Sequence, residues 1–301
     1  MIRFIPLPAH AADFSGLIAR HTGDAQFPYK AADGRELLIS LFCPPHFDPA
    51  ERYPLLVWIH GGGWNSRKIF PDQADWAGDQ LGFLARRYAD RGYLCACIDY
   101  RLMRNDGQDA GYELFDLYED CADGVDALLN RADAWGIDRQ RVVVLGESAG
   151  GYLAAALTTL PWRDRTCYRG AVLINAITDL TEPLWQRCVP QRSARTELAG
   201  CTLAEKTLLL SPVQHISGDT CPTLLLHGAA DTVVLPYHAQ KFHDLLRARG
   251  GKVDLHWIAD TDHAFMLAEY MQELHTPLHA LTASLPGLDE WLDALMAEQH
   301  E

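Results

Sequence analysis

The sequence predicts an α/β fold, with a mostly parallel sheet of eight strands flanked by helices. Three observations lead there. From about residue 35 onward, strand-like runs alternate with helix-like ones, the pattern of a sheet covered by helices. Several strand runs are nearly all apolar, such as PLLVWIH at 54–60, as expected where both faces are buried. The glycine-rich turns and reactive residue types follow strand runs directly, at what would be the carboxyl edge of the sheet.

ELLISLFC (36–43) reads as a strand that Pro44-Pro45 ends, and PLLVWIH reads as the next. Residues 81–91 have helical spacing, and YLCACIDY (93–100) is a third strand. Leu114, Tyr118, Cys121, Ala122, Val125, Leu128 and Leu129 recur at i, i+3, i+4 and i+7, an amphipathic helix ending near Gly136. RVVVL (141–145) is a β-branched strand, and the Ala- and Leu-rich run 149–160 is a helix closed by Pro161. GAVLINA (170–176), TLLLH (223–227) and VDLHWI (253–258) bring the strands assigned to particular residues to seven of the eight expected, with a helix at 237–249. Residues 1–34 have no clear pattern. Residues 177–222 are irregular and read equally well as a small lid or a solvated excursion within one domain, 1–301.

The formal net charge of −14 disfavours nucleic acid and anionic lipid surfaces as partners. No apolar run reaches the roughly 20 residues of a membrane span, and no signal peptide is read in MIRFIPLPAHA. None of the eight cysteines forms a CxxC pair. Cys95 and Cys97 share a strand face and read as small buried hydrophobes. A cytoplasmic protein is expected, with homo-oligomerisation left open.

Four motifs carry chemistry. Gly146-Glu147-Ser148-Ala149-Gly150 lies between a strand and a helix, where a sharp turn exposes the serine hydroxyl. Ser148 is therefore the candidate nucleophile. His60-Gly61-Gly62-Gly63-Trp64 follows a strand, and its bare amides suit an oxyanion. Gly62, Gly63 and Ala149 are the candidate donors. His60 is expected to brace the loop, and Trp64 to wall the pocket or pack beneath it. Asp231, in HGAAD after a strand, is the candidate orienting acid. His263, in DTDHAF after the last strand, is the candidate base. Asp260 is the alternative acid, and Asp262 is expected to diverge from its neighbour His263. Asp99 and Arg101 in DYRL suggest an ion pair or a turn. His275 and His279 stand four apart, but lack a third metal ligand. No metal or cofactor is expected.

HGGGW, DYRL, GESAGG, HGAAD and DHAF, in this order, resemble the hormone-sensitive-lipase-like and feruloyl/acetyl-xylan-esterase-like branches of the α/β-hydrolases. The resemblance runs from about residue 35 to the C-terminus. It implies Ser148, Asp231 and His263 as catalytic residues, with Gly62, Gly63 and Ala149 as the oxyanion hole. Only 59 residues precede His60, so no large helical cap is expected, which favours the xylan-esterase-like branch. The implied substrate is a small-molecule ester with a short acyl group, acetylated sugars included, with Trp64 or Trp185 as a stacking surface. The loop also resembles that of arylformamidases, which leaves amide hydrolysis as an alternative. A non-catalytic binding protein is a further alternative, disfavoured because all three catalytic residue types are present.

Overall fold

A computed structural model of the chain describes residues 1–14, 16, 20, 22–32, 34–66, 81–105, 108–266 and 278–298. Its main sheet has nine strands: β1 (Ile2–Ile5), β2 (Ala25–Ala32), β3 (Arg35–Phe42), β4 (Tyr53–Ile59), β5 (Leu94–Ile98), β6 (Ile137–Glu147), β7 (Tyr168–Ile174), β8 (Thr223–Gly228) and β9 (Val253–Ile258). They lie in the order β1-β9-β8-β7-β6-β4-β5-β3-β2. All neighbours pair in parallel except β2 with β3 and β3 with β5.

The expectation of eight strands is thus one short. Both strands of the unassigned N-terminal stretch are edge strands. β1 has only four residues, too few to show a period, and adds in parallel to β9. β2 contains Pro28 and a register shift between Pro28 and Lys30. A proline lacks the N–H that an interior ladder needs, and an outer edge tolerates it.

Helices cover both faces. α1 (Gly82–Ala89) and α7 (His279–Ala297) lie on one, while α2 (Leu114–Asn130), α3 (Ala149–Thr159) and α6 (Tyr237–Ala248) lie on the other. The strands alternate between the two cores. In β4, Leu55, Val57 and Ile59 face α2 and α3, whereas Leu56 and Trp58 face α1 and α7. Cys95 and Cys97 share the second face, as expected from their spacing, and all eight cysteines are free. This is the α/β-hydrolase fold. Among the described residues no helix is long and apolar enough to cross a membrane.

The register places the motif loops in pairs. Ile59 of β4 stands beside Gly146 of β6, so the HGGGW loop and the turn at Ser148 leave the sheet side by side. Gly228 of β8 stands beside Ile258 of β9, which pairs the loops of Asp231 and His263. Asp120 of α2 is fully buried, and Arg101 chelates it from Nε (2.7 Å) and Nη2 (2.8 Å) while Lys30 approaches to 2.7 Å. The DYRL arginine thus fixes the chain after β5 to α2, and Asp99 faces Arg35 instead.

Residues 177–222 form the crossover between β7 and β8. They include the short helices α4 (Pro183–Gln186) and α5 (Leu203–Leu210). Glu182 caps α4, and Thr202 with Glu205 forms a reciprocal cap on α5.

Candidate active site

Ser148 occupies the junction of β6 and α3 with φ 54° and ψ −117°, a conformation costly for a residue with a Cβ. Its N–H donates to Ile174 O (2.8 Å) and its carbonyl accepts from Tyr152 N–H (3.0 Å), which hold the turn between β7 and α3. Two glycines make the turn possible. A Cβ on Gly146 would collide with the backbone of Gly150, and one on Gly150 would collide with the carbonyls of Ile59 and His60.

His263 Nε2 lies 2.9 Å from Ser148 Oγ, and its Nδ1 lies 2.8 Å from Asp231 Oδ2. A carboxylate only accepts, so Nδ1 carries the proton and Nε2 faces the serine as acceptor. The Asp231 carboxylate is fully buried, and its Oδ1 accepts from the N–H groups of Val233 and Val234, both at 2.9 Å. His227 packs beside it, 3.4 Å from Oδ2. Burial pushes His227 down to about 4, so the ring is neutral near pH 7 and its Nε2–H donates to Val234 O at 2.8 Å.

Asp262 points elsewhere. Its Oδ1 accepts from Thr232 N–H (2.8 Å), Thr232 Oγ–H (3.0 Å) and the N–H of His263 (2.8 Å). These bonds, led by the Thr232 amide, hold its carboxyl below the usual range. The side chain ties the loop of Asp231 to the loop of His263. For Asp260 the structure shows a left-handed turn residue, φ 48°, and His263 is hydrogen-bonded to Asp231 instead.

The HGGGW loop is a tight turn in which the amides of Asn65 (3.0 Å) and Ser66 (3.1 Å) donate to Gly62 O. Gly62 and Gly63 have φ of 95° and 61°, and among the described residues their own N–H groups make no hydrogen bond. Ala149 begins α3, where the first-turn amides have no partner within the helix. His60 braces this loop, stacked on Tyr100 at 4.2 Å, with the Tyr100 hydroxyl donating to the carbonyls of His60 (2.8 Å) and Gly61 (3.1 Å).

Trp64 corrects an expectation. It is fully buried, so it offers no face for stacking a sugar. Its φ of 61° is held by packing against Tyr152 and Trp185 and by Nε1–H donating to Ala149 O at 3.0 Å. Trp64 therefore clamps the HGGGW loop to the start of α3. Trp185 is half-buried and lines a cleft of about 710 Å³ that opens beside Gly63. Of the paired histidines, His275 lies outside the described residues, and among these no cluster suits a metal ion.

Residues 40–246 match the model of the BD-FAE family. The chain belongs to the BD-FAE family. Among curated relatives, "Probable carboxylic ester hydrolase LipM" of Mycobacterium tuberculosis is 26% identical over 93% of this chain and 62% of its own length. Ethyl acetate hydrolase of Pseudomonas putida is 31% identical over 49% of this chain and 42% of its own. The chain therefore spans less than two thirds of these relatives. The thermophilic esterase Est2 of Thermogutta terrifontis shares the fold, with a TM-score of 0.73 and 24% identity over 93% of this chain and 96% of that one.

In this BD-FAE chain the motif also holds a residue that sequence reasoning passed over. Glu147 is fully buried directly before Ser148, and neither carboxyl oxygen has a hydrogen-bond partner among the described residues. The Met266 backbone approaches without reaching hydrogen-bond geometry. Burial, with the nearby charge of Asp231, pushes Glu147 up to about 8. The carboxyl is neutral near pH 7, which limits repulsion of Asp231.

A raised folded-state value makes the folded chain hold a proton that the unfolded chain releases. This contribution to stability is complete below the ordinary value of 4.5 and declines as pH rises to about 8. Glu147→Gln should abolish that component. Relative to the variant, the unfolding free energy of the wild type should fall between about pH 5 and pH 8 by up to about 1.4 kcal/mol per pH unit, read as a falling melting temperature. Parallel profiles in thermal unfolding would show that Glu147 does not titrate this way.

Proposed function

We propose that this protein is a serine carboxylic ester hydrolase acting on short acyl esters, acetylated sugars among them, through an acyl-enzyme on Ser148. The observation that carries the reading is the unbroken line from Asp231 through His263 to Ser148 Oγ. In this reading Ser148 Oγ attacks the ester carbonyl carbon as its proton passes to His263 Nε2. The negative charge that forms on the carbonyl oxygen meets the N–H groups of Gly62, Gly63 and Ala149, each worth about 3–4 kcal/mol to the transition state. His263 then gives the proton to the leaving alcohol. Water, activated by the same imidazole, releases the acid and restores Ser148. Asp231 holds the ring in the reactive tautomer and stabilises the imidazolium.

Asp231→Asn should lower kcat by up to about 10⁴-fold, because the amide can donate to Nδ1 and so favours the wrong tautomer. Asp262→Asn should cost only a small factor, since an amide oxygen can still accept from Thr232 and His263. Steady-state kinetics on p-nitrophenyl acetate compares them. A larger loss in Asp262→Asn would reassign the acid.

The partial match to an ethyl acetate hydrolase supports a short acyl group. The cleft beside Gly63 has room for a polar alcohol part, with Trp185 as the face against which a sugar ring packs. A longer acyl chain gains about 0.8 kcal/mol per methylene only where apolar walls remove it from water. On p-nitrophenyl esters, kcat/KM should peak between acetate and butyrate and fall steeply by octanoate, with acetate also released from acetylated sugars. A peak at octanoate or beyond would refute the short-acyl reading. Fast turnover of formylkynurenine with no release from sugars would point to an amidase.

A further inference from the structure

The cleft beside Gly63 carries two arginines, Arg187 and Arg192, from the segment that begins with α4. The protein has 40 acidic residues against 26 lysines and arginines, and many of its cations are committed to carboxylates. Arg87 holds Asp289, Arg101 holds Asp120, Arg163 holds Glu119, and Lys241 holds Asp179. Arg187 and Arg192 differ. Among the described residues the Arg192 side chain makes no hydrogen bond or ion pair, and the Arg187 side chain only donates from Nε to Leu184 O at 3.3 Å.

The backbone that presents them is fixed. Val189 is buried between them, and the buried Lys206 donates from Nζ to the carbonyls of Pro190 (3.3 Å) and Gln191 (2.8 Å). Among the described residues, Glu113 is the one carboxylate lining the cleft, and it is already engaged. It accepts from Ser193 Oγ–H at 2.6 Å and Ala194 N–H at 3.3 Å, and it stands at the N-cap position of α2, beside the positive end of that helix. A cleft with two uncommitted guanidinium groups and a compensated carboxylate is a place for an anion.

We infer that Arg187 and Arg192 are specificity-determining residues that select esters whose alcohol part carries an anionic group, a carboxylate or a phosphate. The inference rests on the hydrolase reading above, with the alcohol part of the ester lying in the cleft beside Gly63. A guanidinium pairs with either anion through two parallel hydrogen bonds. In an otherwise acidic protein the pair also supplies a local attraction for an anionic substrate that the net charge opposes.

Three acetate esters test it: 4-acetoxybenzoate, 4-acetoxyphenyl phosphate and the neutral 4-acetoxybenzamide. The quantity read is the kcat/KM of each anionic ester divided by that of the amide, in the wild type and in R187Q/R192Q. Exposed pairs are individually modest, so the ratio should fall roughly 2- to 10-fold in the double variant. It should be restored in part by R187K/R192K, and in the wild type it should shrink as salt rises above about 0.5 M. A fall for one anion only identifies that anion as the ligand. An unchanged ratio for both anions overturns the inference. Failure of the wild type to cleave any of the three would instead count against the hydrolase reading. The arginine site is then judged by calorimetric binding of 4-hydroxybenzoate, which should weaken in R187Q/R192Q by a similar factor. Equal affinity in the two proteins overturns the inference there as well.

Discussion

The approach of Gly150 to the carbonyls of Ile59 and His60 is the constraint on which the rest of the site depends. No side chain fits between them, so the start of α3 can rest against the end of β4. That contact brings two loops from different strands into one place. Ser148 is carried out of β6 on a strained turn, and the free amides of Gly62 and Gly63 are carried out of β4 next to it. Trp64 then seals the junction from below, with its indole N–H on Ala149 O. A larger residue at position 150 would meet the carbonyls of Ile59 and His60 and so push the start of α3 away from the end of β4.

The second half of the site is assembled by the same logic on β8 and β9. Strand register brings the loops of Asp231 and His263 together, and Asp262 bolts them by accepting from both. Asp231 can remain a buried acceptor because two amides and the imidazole satisfy it. Glu147, buried between the two halves without such partners, is neutral. Burial and the nearby charge of Asp231 push the Glu147 carboxyl up, and no hydrogen bond among the described residues offsets them, whereas Asp231 is held by three donors.

Much of this was legible in the sequence because it is local. The strand–turn–helix around Ser148 shows in RVVVL followed by GESAGG, and the order serine, aspartate, histidine follows from which strand each residue ends. The strands β1 and β2 were not legible: a four-residue edge strand and a proline-bearing one show no period, and pairing with β9 and β3 defines them. The role of Trp64 was half legible. The sequence shows an aromatic after three glycines, but only the packing of Tyr152 and Trp185 around it decides that it faces inward. Glu147 sits in plain view inside the motif, yet its burial depends on strands distant in sequence. Arg187 and Arg192 fall in an irregular segment whose position over the cleft no periodicity could reveal.

The central claim is that Ser148 is a nucleophile activated by His263. Labelling with a fluorophosphonate probe, followed by mass mapping of the adduct, tests it most directly. The account predicts one adduct, on Ser148, that disappears in Ser148→Ala while the melting temperature stays near that of the wild type. A folded wild type that takes no label, or a label that persists in Ser148→Ala, would contradict it.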